Sequence, residues 1–255
     1  MNGLCRHPFR VTGRFFWFLG IVFTAAFDFL LHNAFRAKKS TPAARALWVQ
    51  RHARRLLKIF KLEPQVAGPV PTRGLLVSNH LGYLDILLLA SITPVVFVSK
   101  SEIKSWPLVG WLTQMGGTLF VNRGRRGQVG QVNDEIQAAL DRGALVVLFP
   151  EGTSSNGETV LPFRSSLLES AAQSTHLLSV GAIQYAIEDG DASEDVCYWG
   201  DHTFLPHLLN LLGKRAVRAT VRFAPFQRTG ADRKQLAVQL REEILKLKAG
   251  GPART

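Results

Sequence analysis

Apolar and polar positions change rhythm near residue 63. From Phe15 to Phe27 runs F-F-W-F-L-G-I-V-F-T-A-A-F, a stretch with no charge. As a helix it spans about 20 Å, against a hydrocarbon core of about 30 Å. Extension to Phe35 reaches about 31 Å but takes Asp28 into the apolar stretch. Arg6, Arg10 and Arg14 precede the segment, and Arg36, Lys38 and Lys39 follow it. Positive residues at both ends suit a segment that dips into the cytoplasmic leaflet. A signal peptide shares this outline, but no A-x-A cleavage pattern follows the apolar run. From Arg45 to Leu62 the spacing predicts a second, amphipathic helix. Arg51, Arg54, Arg55, Lys58 and Lys61 fall within about 120° of one another, opposite Trp48, Val49, Leu56, Leu57, Ile59 and Phe60. Such a helix suits an anionic membrane surface; the alternative is packing on the next domain with a solvated basic face.

A Pro/Gly-rich stretch, Glu63–Gly74, reads as the boundary between a helical segment, 1–62, and a domain, 63–255. Beyond it, β-rich runs (Leu75–Ser78, Val95–Ser99, Thr118–Val121, Ala144–Phe149, Leu178–Ile183, Val217–Phe223) alternate with helical patterns. The latter cover Leu84–Ile92, Gln128–Arg142, Ser165–Ser174, Phe204–Leu212 and Ala231–Lys248. The alternation predicts an α/β fold, a mixed, largely parallel sheet flanked by helices, behind an N-terminal membrane-associated helical segment. The run A-L-V-V-L-F suits a central strand buried on both faces.

Charge sharpens this division. Residues 1–62 hold 12 of the 31 Lys and Arg but only one of the 19 Asp and Glu, which leaves the remainder with 19 basic and 18 acidic residues. The basic excess is confined to the apolar front end, and no nucleic-acid motif accompanies it, so nucleic-acid binding is disfavoured. Two cysteines, Cys5 and Cys197, provide neither a disulfide framework nor a cysteine zinc site.

Three segments carry candidate chemistry. After the first expected strand comes S-N-H-L-G-Y-L-D, Ser78–Asp85. With His80 in the turn and Asp85 in the first helical turn, a carboxylate can fix the imidazole tautomer and leave the other nitrogen basic; a purely structural pair is the alternative. No G-x-S-x-G serine is present, so the nucleophile is the substrate's own hydroxyl. At the end of the most apolar strand lies L-F-P-E-G-T-S-S-N-G, Leu148–Gly157, where Gly152 allows close approach and Glu151 can accept from a substrate hydroxyl; a purely structural turn is the alternative. Third, G-G-T-L-F-V-N-R-G-R-R, Gly116–Arg126, sets Arg123, Arg125 and Arg126 past a strand as an anion clamp or a solvated basic loop. His80, Asp85 and Glu151 lack helical metal-ligand spacing, so no metal is expected.

In this order and spacing, N-H-L-G-Y-L-D, G-T-L-F-V-N-R and F-P-E-G-T-S-S resemble the PlsC-type 1-acylglycerol-3-phosphate acyltransferase family, over roughly Leu75–Ile183. Lys100–Gly110 and F-R-S-S-L-L-E-S-A are similar to its connecting stretches. The resemblance implies acyl transfer from acyl-CoA or an acyl-acyl carrier protein, with no cofactor, to the hydroxyl of 1-acyl-sn-glycerol 3-phosphate. It makes His80 the general base, Asp85 its orienting partner, Arg123 the phosphate ligand, and Glu151, Gly152 and Thr153 the acceptor-pocket lining, with Arg164 a further basic contact. It also implies a phospholipid membrane as partner, at the cytoplasmic face of the inner membrane. Two positions depart from the family pattern: Ser154 stands where F-P-E-G-T-R-S has arginine, and S-V-G-A-I-Q-Y lacks the usual proline. Another lysolipid, such as lyso-ornithine lipid, is therefore the alternative acceptor, and a non-catalytic lipid-binding protein the alternative class. Asp201, His202 and His207, in Trp199–Leu209, belong to a head-group reader or to an amphipathic surface helix.

Overall fold

The computed structural model describes residues 7–35, 41–105, 109–121, 126–228 and 232–250. Two helices lead, α1 (Pro8–Phe35) and α2 (Pro42–Ile59). There follow β1 (Glu63–Ala67), β2 (Gly74–Ser78), α3 (Tyr83–Ile92), β3 (Val96–Lys100), α4 (Val109–Met115), β4 (Leu119–Val121), α5 (Arg126–Asp141) and β5 (Leu145–Leu148). The chain closes with α6 (Glu169–Gln173), β6 (Leu178–Ala186), α7 (Ala192–Asp195), α8 (Phe204–Gly213), β7 (Arg218–Phe226) and α9 (Arg233–Lys248).

The strands form one seven-stranded sheet in the order β1-β7-β6-β2-β5-β3-β4. Every neighbouring pair is parallel except β6 with β7. The expected mixed, largely parallel sheet is therefore present. Its centre is buried on both faces because side chains alternate along a strand. Leu75, Val77, Val146 and Leu148 pack with Ile136 and Leu140 of α5 and Leu240 and Ile244 of α9. Leu76, Leu145 and Val147 pack on the other side with Leu57 and Ile59 of α2, Leu88 of α3 and Leu211 of α8. Each fully buried side chain of this size contributes about 1.5–3 kcal/mol.

The structure differs from the expectation in four places. The stretch read as a boundary linker holds β1, paired with β7 from Glu63↔Arg218 to Ala67↔Arg222. Pro64 hides it from sequence reading, yet proline is tolerated on an edge strand, and β1 is one. Ser165–Ser174 is a 3₁₀ turn, Ser165–Leu168, followed by α6. The short helices α4 and α7 were not foreseen.

The N-terminal helices are tied to this sheet. Burial on the protein claims the apolar half of α2, which was expected on a membrane surface: Ala46, Ala53, Leu57 and Ile59 are buried, in part against α3, while Arg51, Arg54, Arg55 and Lys58 stay exposed. α1 has 28 residues, about 42 Å of helix, and is long and apolar enough over Pro8–Leu31 to cross a membrane by length and composition. Asp28 meets His52 Nε2 of α2 at 3.2 Å and Arg51 at 3.6 Å, so the one acid of the apolar stretch is paired. Phe9, Phe16, Phe23 and Leu30 recur every seven residues on its exposed side.

Arg10 and Arg14, read from sequence as flanking charges, reach into the protein. Arg10 Nη1 donates to Gly213 O at 2.9 Å. Arg14 donates to the carbonyls of Leu212 (3.0 Å), Lys214 (2.5 Å) and Arg215 (3.1 Å). These are the open carbonyls at the C-terminus of α8, where cations are favoured by the helix dipole. Arg6, Arg36, Lys38 and Lys39 lie outside the described residues. Arg14→Ala is expected to lower stability by about 1–3 kcal/mol. Thermal unfolding in detergent reads the loss, and hydrogen exchange should rise first in α1 and at the end of α8.

Candidate active site

The candidate site lies where β2 ends and α3 begins, at the carboxyl ends of the parallel strands. Asp85 is the third residue of α3, near its positive end, and has no solvent exposure. Its Oδ2 accepts from His80 Nδ1 at 2.8 Å, Leu81 N at 2.6 Å and Gly82 N at 3.0 Å. Its Oδ1 accepts from the Tyr185 hydroxyl at 2.8 Å. An ionised carboxylate accepts only, so His80 carries its proton on Nδ1 and Nε2 is the basic nitrogen. The imidazole stacks on Phe149, with centroids 4.3 Å apart, and is 22% exposed, enough for a substrate to reach it.

The backbone of His80 is held as firmly. Its N–H donates to Glu151 Oε1 at 2.7 Å, and its carbonyl accepts from Ser155 N at 3.0 Å. Glu151 Oε2 accepts from Leu161 N at 2.9 Å. Glu151 is 2% exposed, and burial pushes its carboxyl up, partly offset by the two amides. From the sequence its carboxylate is expected to be able to accept from a substrate hydroxyl. In the structure both oxygens are already taken by main-chain donors, and Glu151 positions the strand end that carries His80.

Gly152, at φ 72°, turns the chain back so that its N–H meets Phe149 O at 3.1 Å. Thr153 and Arg164 are exposed at the same strand end, and Arg164 N donates to Pro150 O at 2.8 Å. Arg123 and Arg125 lie outside the described residues, as does the side chain of Arg126. Ser154 Oγ donates to the carbonyl of Tyr198. A cavity opens beside Phe149, lined by apolar side chains such as Val98, Ile136 and Leu167 and by the polar Ser99, Asn133 and Ser170.

Several contributors carried no sequence signal strong enough to find them. Tyr185 lies about a hundred positions from Asp85 and reaches it because β6 runs on to Ala186. Asn79 bridges β2 to β6 through Ile183 O (3.0 Å) and Ile183 N (2.7 Å). His207 also has its place: Nε2 donates to Cys197 O at 3.0 Å and Nδ1 accepts from the Tyr83 hydroxyl at 2.8 Å. Burial lowers its pKa to about 4. The folded state thus keeps His207 neutral while the unfolded state binds the proton first, so stability is full above about pH 6.5 and falls as the pH drops toward 4. The expected loss is about 3 kcal/mol. Chemical denaturation of wild type and His207→Gln across this range checks it, since the variant should lack that part of the slope.

A sequence family described as acyltransferase matches residues 63–186. The chain is 36% identical over 192 residues to a lyso-ornithine lipid O-acyltransferase of Pseudomonas aeruginosa, covering 74% of each protein. It is 33% identical over 170 residues to a 1-acyl-sn-glycerol-3-phosphate acyltransferase of Neisseria meningitidis, covering 62% of this chain and 67% of that one. The crystal structure of the 1-acyl-sn-glycerophosphate acyltransferase PlsC of Thermotoga maritima matches with a TM-score of 0.65 at 19% identity, covering 97% of this chain and 98% of that one. That likeness is one of fold.

Proposed function

The chain belongs to the PlsC-type acyltransferase family and is an acyltransferase of the lysophospholipid type, and on that premise we propose that His80 is its general base, acting on the hydroxyl of a lysolipid. The observation that carries this reading is the imidazole held at Nδ1 by a fully buried carboxylate, with Nε2 left for substrate.

His80 Nε2 takes the proton of the acceptor hydroxyl as its oxygen attacks the carbonyl carbon of an acyl thioester. The resulting imidazolium lies against the Asp85 carboxylate. The tetrahedral adduct collapses, the carbon–sulfur bond breaks, and the thiolate leaves with the proton held on His80. The products are an ester and a free thiol, and His80 returns neutral. The donor is acyl-CoA or an acyl-acyl carrier protein, and no cofactor enters the reaction. The long apolar helix α1 holds the enzyme at a phospholipid membrane, where its amphiphilic acceptor resides, at the cytoplasmic face of the cell membrane.

For the acceptor, lyso-ornithine lipid is favoured. Ser154 offers no positive charge and is tied to Tyr198 O, and the relative from Pseudomonas aeruginosa acylates that lipid by its name. 1-Acyl-sn-glycerol 3-phosphate is the second reading, favoured by Arg123 past β4 and by the relative from Neisseria meningitidis.

The test is acyl transfer by purified protein in detergent, with oleoyl-CoA and palmitoyl-acyl carrier protein as donors and the two lysolipids competing. His80→Ala is expected to lose at least about 10²–10⁴-fold in rate, with membrane association unchanged. Asp85→Asn should lose a comparable factor, because an amide in that place stabilises no imidazolium. Full activity of His80→Ala would overturn the assignment.

A further inference from the structure

The segment after β6 contains six carboxylates between Ile187 and Thr203 and no lysine or arginine, in a chain of net charge +12. It returns across the catalytic end of the sheet and lies directly on the loop that carries His80. Tyr198 N donates to Leu81 O at 2.7 Å, one residue beyond His80. Ser154 Oγ donates to Tyr198 O from the other side, while the next residue, Ser155, donates to His80 O. At Gly82, φ is 153° and a Cβ would stand 2.9 Å from Tyr198 N, so this approach requires glycine. Catalytic loop, Ser154 and Tyr198 thus form one hydrogen-bonded stack.

We propose that Val196–Thr203 is the wall that reads the acceptor's head group, with Tyr198 and His202 as reading side chains and Ser154 as the residue that positions them. The proposal rests on the reading of His80 as the reacting centre. An acceptor whose hydroxyl sits at that imidazole carries its polar head within a few bonds of it, and this segment meets the loop bearing His80 through Tyr198 N and Leu81 O.

The side chains divide clearly. His207 is consumed by Tyr83 and Cys197, and Trp199 Nε1 donates to Ser193 O at 2.9 Å. Tyr198 and His202 are half-buried, with ring centroids 6.3 Å apart. His202 Nδ1 is buried without a partner, while its Nε2 stands 3.8 Å from Glu194. Glu188 and Asp195 are matched by Arg218 and Lys214, but Glu194, 3.8 Å from the His202 ring, and Asp201, next to His202 in the chain, lie exposed. Aromatic faces next to carboxylates favour a head group that presents an ammonium and repel one that presents a phosphate dianion. The substrate class is therefore a lysolipid with an aminated head, as ornithine provides.

The experiment is steady-state kinetics of the full chain in mixed micelles, with lyso-ornithine lipid and lysophosphatidic acid as acceptors. Tyr198→Leu and His202→Gln are expected to raise the KM for lyso-ornithine lipid about tenfold, the scale of one lost cation–aromatic contact, with the KM of the donor unmoved. Ser154→Ala should shift the acceptor KM in the same direction, and Ser154→Thr, which keeps the hydroxyl, should restore it. Equal losses with both acceptors, or a changed donor KM at constant acceptor KM, would reduce the segment to a structural brace and overturn the proposal. If the wild type prefers lysophosphatidic acid, the lyso-ornithine reading fails. The wall then stands only if the same variants move the KM for that acceptor and leave the donor's alone.

Discussion

A carboxylate removed from water costs several kcal/mol unless donors replace its hydration, and the candidate active site of this protein is arranged around one such group. Asp85 has no exposure and four donors: one imidazole, two main-chain amides and one phenol. Each donor fixes something else. The amides of Leu81 and Gly82 set the turn between β2 and α3. The phenol of Tyr185 requires β6 to extend past the end of β2. The imidazole is locked in one tautomer. Shift any of these and the charge is left short of a partner, so the loop, the strand and the ring hold one another in place.

A second buried carboxylate does a different job nearby. Asp85 holds the ring of His80, whereas Glu151 holds its main chain and joins it to Leu161. The loop containing Leu161 is braced in turn by α9, where Arg241 Nε donates to Val160 O at 2.9 Å and Lys248 Nζ to Glu158 O at 2.8 Å. Asp85 stands in the first turn of α3, which follows β2, and Glu151 just past β5, and these two central strands are neighbours, paired from Gly74↔Leu145 to Val77↔Leu148. The rigidity of a sheet buried on both faces is thereby passed to the imidazole. Arg14 fastens α1 to the end of α8, so the apolar helix is anchored to the helix that follows Val196–Thr203.

Much of this was legible in the sequence where local pattern and chemistry coincide. The run Ala144–Phe149 announced a strand buried on both faces, and the H-x₄-D spacing announced a pair meeting across a turn. What escaped notice depends on long-range packing. Pro64 disguised an edge strand that only its pairing with β7 reveals. The apolar half of α2 has the same periodicity whether it meets lipid or α3, so amphipathicity alone cannot choose. Glu151 looked available for substrate because sequence does not show two distant amides closing on its oxygens. Tyr185 and Tyr198 gained their places from the length of β6 and the return of the chain after it.

The most direct test of the central claim is the tautomer of His80. In ¹⁵N-histidine-labelled protein at neutral pH, with His80→Gln used to assign the signals, the account predicts a protonated Nδ1 with a proton shifted downfield by the Asp85 hydrogen bond, and an unprotonated Nε2. A spectrum with the proton on Nε2 would leave no base facing the substrate and would contradict the account.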